Sequence, residues 1–237
     1  MRKIIDITPS QVTPTVESIL VAQGLPKDTT PNQATLALAE QAISTYRNLA
    51  KPIGLIMSLS ADEFQTIYVG QGDNHSQAPL ADIYPSSDSL ALFAVTIGQN
   101  ICRAIATMFD NNDYAAAAML DSAASEATEL AANHVEQQFR QHLKQQGLMD
   151  SSKTSLQFCP GYCGWHISAQ KKLFELLRPE EINIGLSDSY LMKPLKSITG
   201  VIVAGKRSLF LFDDNFDFCR DCRTRSCRQR MQLLTDK

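Results

Sequence analysis

The chain has 237 residues, of which 44% are hydrophobic and 20% are charged, and its formal net charge is −3. These values are ordinary for a globular protein that can bury its own core. They argue against a disordered chain and against the strongly basic surface of many nucleic-acid-binding proteins. No run of about 18 apolar residues predicts a membrane span, and the N-terminal apolar stretch is too short for a signal peptide. We therefore expect a cytoplasmic protein whose partners include neither nucleic acid nor a membrane.

The N-terminal region carries the signals of two helices. Thr13 followed by Pro14 is typical of a helix start, and Gly24 is typical of a helix end. The sequence Thr-Pro-Asn-Gln at 30–33 has the form of a capping box. A second helix is therefore predicted from there to about Leu49, where a following proline stops it.

Strands, a loop and two long helices are predicted next. The runs 53–59 and 64–69 are rich in apolar residues and favour strands. Gly, Asp, Asn, Ser and Pro dominate 70–89, which predicts an irregular loop. Two long helices are predicted after this loop. The first is indicated by apolar residues at helical spacing, namely Leu90, Phe93, Ile97, Ile101, Ile105 and Met108. The second should occupy about 114–146, with Gly147 as its C-cap.

The character of the sequence changes after a polar break at 150–155. A loop containing Gly, Pro and Cys is predicted at 156–166 and a short helix at 168–177. Strands are predicted near 181–186, 198–204 and 208–212. The fold class is therefore α+β, because the unbroken strand–helix alternation of a Rossmann fold or an α/β barrel is absent.

One domain is expected to span the whole chain, 1–237. Its helical part covers about 1–147, and a part made of ligand loops and sheet covers about 150–212. The remainder, 213–237, is a cysteine-rich tail.

The first segment that carries chemistry is Phe-Cys-Pro-Gly-Tyr-Cys-Gly-Trp at 158–165. Proline and glycine fix an irregular backbone whose N–H and C=O groups can face a ligand. Tyr162 and Trp165 offer aromatic faces with polar tips. Taken alone, this segment more simply indicates a tight turn packed under the only tryptophan of the chain.

The second segment covers 186–200 and contains Ser-Asp-Ser, Met-Lys-Pro and a final Ser-Ile-Thr-Gly. By itself it predicts only a hairpin-like connection. The order of the two segments, with the helix and strand between them, resembles the activation domain of cobalamin-dependent methionine synthase. The resemblance is greatest to the short, free-standing members of that family. The upstream stretches 94–98, 119–122 and 126–129 are similar to the helical half of the family.

The resemblance implies a single α+β domain with a twisted antiparallel sheet flanked by helices. It implies that S-adenosylmethionine is held by a loop and that a later turn lies near the corrin ring. The loop residues are Cys159, Pro160, Gly161 and Tyr162, and the turn residues are Met192, Pro194 and Ser197.

A departure from the family pattern occurs at Gln157, where the family has an arginine. The guanidinium of that arginine makes a charge-assisted contact to the carboxylate of the ligand, and an amide cannot replace it. Gln157 is therefore expected to contact the ligand with altered affinity.

The reaction that the resemblance implies is the reductive methylation of an inactivated cobalamin. One electron returns the cobalt to Co(I), which then attacks the sulfonium methyl group. The protein places the two reactants and needs little acid–base chemistry. No cobalamin-binding signature of the form Asp-x-His-x-x-Gly occurs in this chain. The corrinoid is therefore expected on a partner methyltransferase of the methionine synthase type, with a reductant such as a flavodoxin supplying the electron.

Five of the six cysteines follow residue 158, which favours metal binding or redox chemistry in a reducing compartment. The tail spacing suits zinc or an iron–sulfur cluster, and thiolates from the loop would complete the site. Spacing does not separate the two metals, and a reduced, solvated tail is the simpler alternative. A cluster beside the adenosyl site would supply the reducing electron itself. The predicted ligands are Cys159, Cys163, Cys219, Cys222 and Cys227.

Two other functions are weighed against this one. A metal- or cluster-binding adaptor or electron-transfer protein for a corrinoid partner, without S-adenosylmethionine-dependent activity, is favoured by Gln157. A radical S-adenosylmethionine enzyme is suggested by the spacing of Cys159, Cys163 and His166. Histidine replaces its third cysteine, however, and no barrel pattern follows.

Overall fold

An antiparallel sheet of five strands organises the part of the chain that the computed structural model describes, residues 1–26 and 29–211. Its strands, in chain order, are β1 (Arg2–Asp6), β2 (Ile53–Leu59), β3 (Ser89–Thr96), β4 (Lys153–Phe158) and β7 (Ser197–Lys206). Their spatial order is β1-β2-β3-β7-β4, so β3 and β7 occupy the interior of the sheet. A small antiparallel pair joins β5 (Gly185–Leu186) to β6 (Met192–Lys193).

Helices cover both faces of the sheet. They are α1 (Val16–Ala22), α2 (Gln33–Leu49), α3 (Ala61–Val69), α4 (Leu80–Ile83), α5 (Gln99–Asp110), α6 (Tyr114–Gln145) and α7 (Ala169–Leu177). One core lies between the sheet and the face covered by α2, α5 and α6. A second core lies between the opposite face of the sheet and α3, α4 and α7. The expected α+β class, with helices flanking an antiparallel sheet, is confirmed.

Strand β3 explains how the two cores share one sheet. Phe93 and its alternate neighbours face the α6 side, whereas Leu92 and its alternate neighbours face the α7 side. In register, Phe93 lies opposite Ile56 on β2 and opposite Gly200 on β7. A strand covered on both faces is apolar at every position rather than at every second one.

That uniform apolar character made the prediction of a long helix starting at Leu90 wrong. The spacing of apolar residues in 90–97 fits a helix and a buried strand equally well. The helix itself, α5, begins only at Gln99, after Gly98 turns the chain with a φ of +91°. Ile101, Ile105 and Met108 are the part of the pattern that lies in this helix.

The strand predicted at 64–69 is also wrong, because this segment belongs to α3. Ser60 accepts a hydrogen bond from the Glu63 N–H at 3.2 Å, and the Glu63 carboxylate accepts one from the Ser60 N–H at 2.8 Å. This capping box starts the helix. Phe64, Ile67 and Tyr68 then face the second core at helical spacing.

Other differences lie at element ends. Asn32 caps α2 rather than Thr30, and Thr15 caps α1 rather than Thr13. The strand predicted at 208–212 is a 3-10 helix over Arg207–Phe210. The predicted extents of α2, α6 and α7 are confirmed to within two residues of each end, whereas β1 and β4 were not predicted. Among the residues described, no helix combines the length and apolar character needed to cross a membrane.

Candidate functional site

The loop that follows β4 is a tight turn that packs on the buried side chain of Trp165. The Gly161 N–H donates to the Trp165 carbonyl at 2.7 Å, and the Tyr162 N–H donates to the Cys159 carbonyl at 3.1 Å. Gly161 has a φ of +91°, which a residue with a Cβ adopts only with strain. Trp165 is 1% exposed, and its ring lies 5.6 Å from that of Phe64. The tryptophan therefore anchors the loop in the core, while Tyr162 stays 56% exposed on its outer side.

The second predicted segment is a hairpin formed by β5 and β6, followed by the turn into β7. The Ser187 N–H donates to the Leu191 carbonyl at 2.9 Å, and Tyr190 at the tip has a φ of +61°. After the hairpin, the Ser197 hydroxyl donates to the Pro194 carbonyl at 2.8 Å. These bonds hold the turn at the start of β7, next to the loop after β4.

A cavity of about 250 Å³ lies where the two segments meet the side of α6. Most of the predicted ligand residues line it, namely Gln157, Cys159, Pro160, Tyr162, Met192 and Ser197. Gly161 and Pro194 belong to the same loops but are not part of the cavity wall. Cys163, which was predicted as a metal ligand, also lines the cavity. The remaining wall consists of residues that the sequence analysis did not assign to a site, namely Glu129, Phe158, Ile167, Gln170, Tyr190, Leu191, Leu195, Ile198 and Thr199.

Gln157 lies on β4 rather than in the loop, with its side chain fixed against α6. Its Nε2 donates to the Glu136 carboxylate at 2.7 Å and to Asn133 Oδ1 at 3.1 Å. Glu136 also accepts a hydrogen bond from the Ser155 hydroxyl at 2.5 Å. Gln157 is 3% exposed, and its Oε1 has no hydrogen-bond partner among the described residues. The hydrogen bonds of its amide nitrogen therefore orient the glutamine side chain, and its carbonyl oxygen has no hydrogen-bond donor among the described residues.

A second buried pair in the wall joins Gln170 at the start of α7 to Thr199 on β7. The Thr199 hydroxyl donates to Gln170 Oε1 at 2.7 Å, and both side chains are buried. Neither residue carried a sequence signal for a binding site. A lone Gln and a lone Thr become recognisable only when the fold brings them together under the cavity.

The part of the wall that the described residues form is acidic. In that part, Glu129 is the only ionisable side chain apart from Cys and Tyr, and no Lys, Arg or His occurs. One turn earlier on α6, burial raises the pKa of the Glu126 carboxyl above its usual value, and the charge of Glu129 raises it further. The cavity therefore favours a ligand with cationic or hydrogen-bond-donating groups.

The cysteine site is only partly covered by the structure. Cys159 and Cys163 are half-buried and both line the cavity. Cys219, Cys222 and Cys227 lie outside the described residues. Within residues 1–26 and 29–211, no three potential metal ligands come together. The zinc or iron–sulfur site stays a prediction from the sequence.

His166, the residue at the third position of the radical-enzyme spacing, lies just before α7. Its Nδ1 accepts a hydrogen bond from the Ser168 N–H at 3.3 Å and lies 2.9 Å from the Ser168 hydroxyl. The Asp73 carboxylate is 3.7 Å from the same nitrogen. His166 therefore organises the chain just before α7, and it does not line the cavity.

Comparisons with known proteins show the family and agree with the fold. Residues 66–213, well over half of the chain, match the family model described as "Vitamin B12 dependent methionine synthase, activation domain". The crystal structure of the MetH reactivation domain bound to AdoHcy is similar, with a TM-score of 0.63 and 14% sequence identity. That match covers 86% of this chain and 78% of the other, and at this identity it shows a shared fold. The comparison with curated proteins gave no match. The extent of the family match shows that the chain belongs to the activation-domain family of vitamin B12-dependent methionine synthases.

Proposed function

We propose that this protein binds S-adenosylmethionine in the cavity between the loop after β4 and the turn before β7, and presents its methyl group to a corrinoid carried by a partner. Membership of the activation-domain family supports this function. The similar MetH domain was crystallised with AdoHcy, the demethylated form of the same ligand. The observation that carries the proposal is that both predicted ligand segments line one cavity.

The lining of the cavity fits such a ligand. Phe158, Ile167 and Ile198 provide apolar walls, and Tyr162 provides an aromatic ring on which a flat base can lie. Gln157 and Glu129 can accept hydrogen bonds from the amino-acid end of the ligand, whose positive charges an acidic wall favours.

The turn before β7 is the side of the cavity that we assign to the corrinoid. Leu191 is 55% exposed and Leu195 is 66% exposed, and both border the cavity. Exposed leucines beside a cavity favour an apolar partner surface. Met192, Pro194 and Ser197 hold the shape of this turn, so they would act mainly by positioning.

The chemistry is a methyl transfer in which atoms and electrons balance. One external electron reduces Co(II) of the partner corrinoid to Co(I). The cobalt then donates an electron pair to the methyl carbon, and the carbon–sulfur bond breaks with its pair staying on sulfur. S-adenosylhomocysteine is released. The protein contributes alignment and exclusion of water, so no general acid or base is assigned.

The partner is proposed to be a corrinoid-carrying methyltransferase in the cytoplasm, and the reductant a flavodoxin or the predicted cysteine site of the tail. A methionine synthase fragment that holds cobalamin but lacks its own activation domain is a suitable test partner. We expect radioactive methyl groups from S-adenosylmethionine to appear on its cobalt when this protein and a chemical reductant are added anaerobically. The Tyr162→Ala variant changes the cavity wall and should transfer fewer methyl groups.

Absence of transfer, with the fragment still bound to this protein, would contradict the methyl-transfer function. That result would instead support the adaptor that lacks S-adenosylmethionine-dependent activity. An anaerobic preparation without metal would remove the tail as a source of electrons.

A further inference from the structure

Gln157 is part of the cavity wall, and its carbonyl oxygen is a buried acceptor. Both known contacts of this side chain are made by its Nε2, which donates to Glu136 and Asn133. The Glu136 carboxylate can only accept in this pair, which fixes the orientation of the amide and leaves Oε1 as the remaining polar atom. Burying such an atom without a donor costs free energy, so buried acceptors are normally satisfied. Oε1 has no partner among the described residues.

The surroundings decide which kind of ligand group can satisfy this oxygen. Glu129 contributes a carboxylate to the same wall, and the wall formed by the described residues contains no Lys, Arg or His. The Thr199 hydroxyl proton is already donated to Gln170. Beside Gln157 Oε1 and the Glu129 carboxylate, a ligand carboxylate would therefore meet acceptors and a like charge, whereas a ligand ammonium group would meet partners of complementary charge.

We propose that Gln157 is a specificity-determining residue whose Oε1 accepts a hydrogen bond from the α-ammonium group of the bound ligand. The site then recognises the amino-acid end of the ligand through its nitrogen rather than through its carboxylate. This assignment rests on the proposed binding of S-adenosylmethionine. It adds that the site recognises the α-ammonium group of the ligand rather than its carboxylate.

Two ligand analogues test separately the contributions of the ammonium group and of the carboxylate to binding. Decarboxylated S-adenosylmethionine keeps the ammonium group, and the deaminated analogue keeps the carboxylate. By calorimetry on the whole protein, we expect the decarboxylated compound to bind within about threefold of S-adenosylmethionine. The deaminated compound should bind at least about tenfold more weakly, because it loses a charge-assisted hydrogen bond. The reverse order would overturn the assignment.

Variants test whether Gln157 causes the preference. Gln157→Met has a similar length but no acceptor, and it should reduce the tenfold preference for the ammonium-bearing analogue to about twofold or less. Gln170→Met is the matched control, because the Oε1 of Gln170 is already used by Thr199. It should change the affinities for both analogues together and keep the preference. An unchanged preference in Gln157→Met would refute the role of Gln157.

The analogue experiment on the unmodified protein stands even if a variant does not fold, which thermal melting would reveal. If S-adenosylmethionine itself fails to bind, the proposed function falls and this assignment falls with it. If S-adenosylmethionine binds and the carboxylate-bearing analogue is preferred, only the assignment falls.

Discussion

Gly200 lies where the central strand β7 passes the end of β4, and a methyl group there has no room. A Cβ built on Gly200 would lie 2.2 Å from the Phe158 carbonyl oxygen and 3.0 Å from Cε1 of Phe93. The Phe158 contact is to backbone, so no rotation of a side chain can relieve it. We therefore expect Gly200→Ala to force β4 away from β7.

The size of the effect follows from these distances. Real Cβ atoms essentially never come within 3.0 Å of another heavy atom, so β4 would have to retreat by roughly 0.8 Å or more. Overpacking of this kind costs about 1–3 kcal/mol. Weakened hydrogen bonds between β4 and β7 near the Phe158–Val201 pair would add to it. We expect the free energy of unfolding to fall by about 3 kcal/mol.

The assay is urea unfolding of Gly200→Ala beside Gly185→Ala. Gly185 also lies in a strand, but the nearest atom to its added Cβ is the Lys193 carbonyl oxygen at 3.9 Å. The control should stay within about 0.5 kcal/mol of the unmodified protein. Because Phe158 leads directly into the loop at Cys159, the Gly200 variant should also bind S-adenosylmethionine more weakly. Equal stability of the two variants would refute the reasoning.

Three further predictions concern single side chains. Tyr162→Ala should weaken S-adenosylmethionine binding roughly tenfold without a change in melting temperature. The control is Tyr114→Ala, which removes a similarly exposed tyrosine outside the cavity wall and should leave binding unchanged. Equal binding by both variants would remove Tyr162 from the site. Glu126 has a folded-state pKa above its ordinary value of 4.5, so its ionisation costs stability as pH rises through that raised pKa. Glu126→Gln should raise the melting temperature at pH 7, and the gain should vanish below about pH 4; a gain that is independent of pH would contradict this. Burial raises the pKa of the Tyr46 hydroxyl, which has no hydrogen-bond partner among the described residues. Tyr46→Phe should therefore raise the free energy of unfolding in urea by up to about 1 kcal/mol. A clear loss of stability would show that the hydroxyl is hydrogen-bonded.

The elements that could be predicted from the sequence are those whose signals are local. The helix α6 has a long alanine-rich pattern that ends at Gly147, which has a φ of +71°. The helix α7 ends at Arg178, just before Pro179, as its sequence indicates. Strand β3 could not be separated from a helix, because a strand buried on both faces lacks alternation. Segment 64–69 was predicted as a strand from its apolar and β-branched residues, although the local capping box at Ser60 starts a helix.

The same division applies to the site. The two loops were predicted from their glycine, proline and tyrosine residues, together with a family resemblance that the family match confirms. Glu129 and Gln170 were not predicted, because they come from helices whose sequences show only ordinary amphipathic patterns. They line the cavity only after α6 and α7 pack on opposite faces of the sheet. The orientation of the Gln157 side chain could not be predicted either, because it depends on Asn133 and on Glu136, which lies 21 positions earlier.

The central claim is tested most directly by calorimetric titration of the anaerobically purified protein with S-adenosylmethionine, with S-adenosylhomocysteine and ATP as controls. The account predicts saturable binding of one adenosyl-sulfur ligand per chain and no comparable binding of ATP, because the acidic wall around Glu129 disfavours a polyphosphate. Absence of saturable binding by either sulfur ligand would contradict the account and would leave the corrinoid-partner adaptor as the function to pursue.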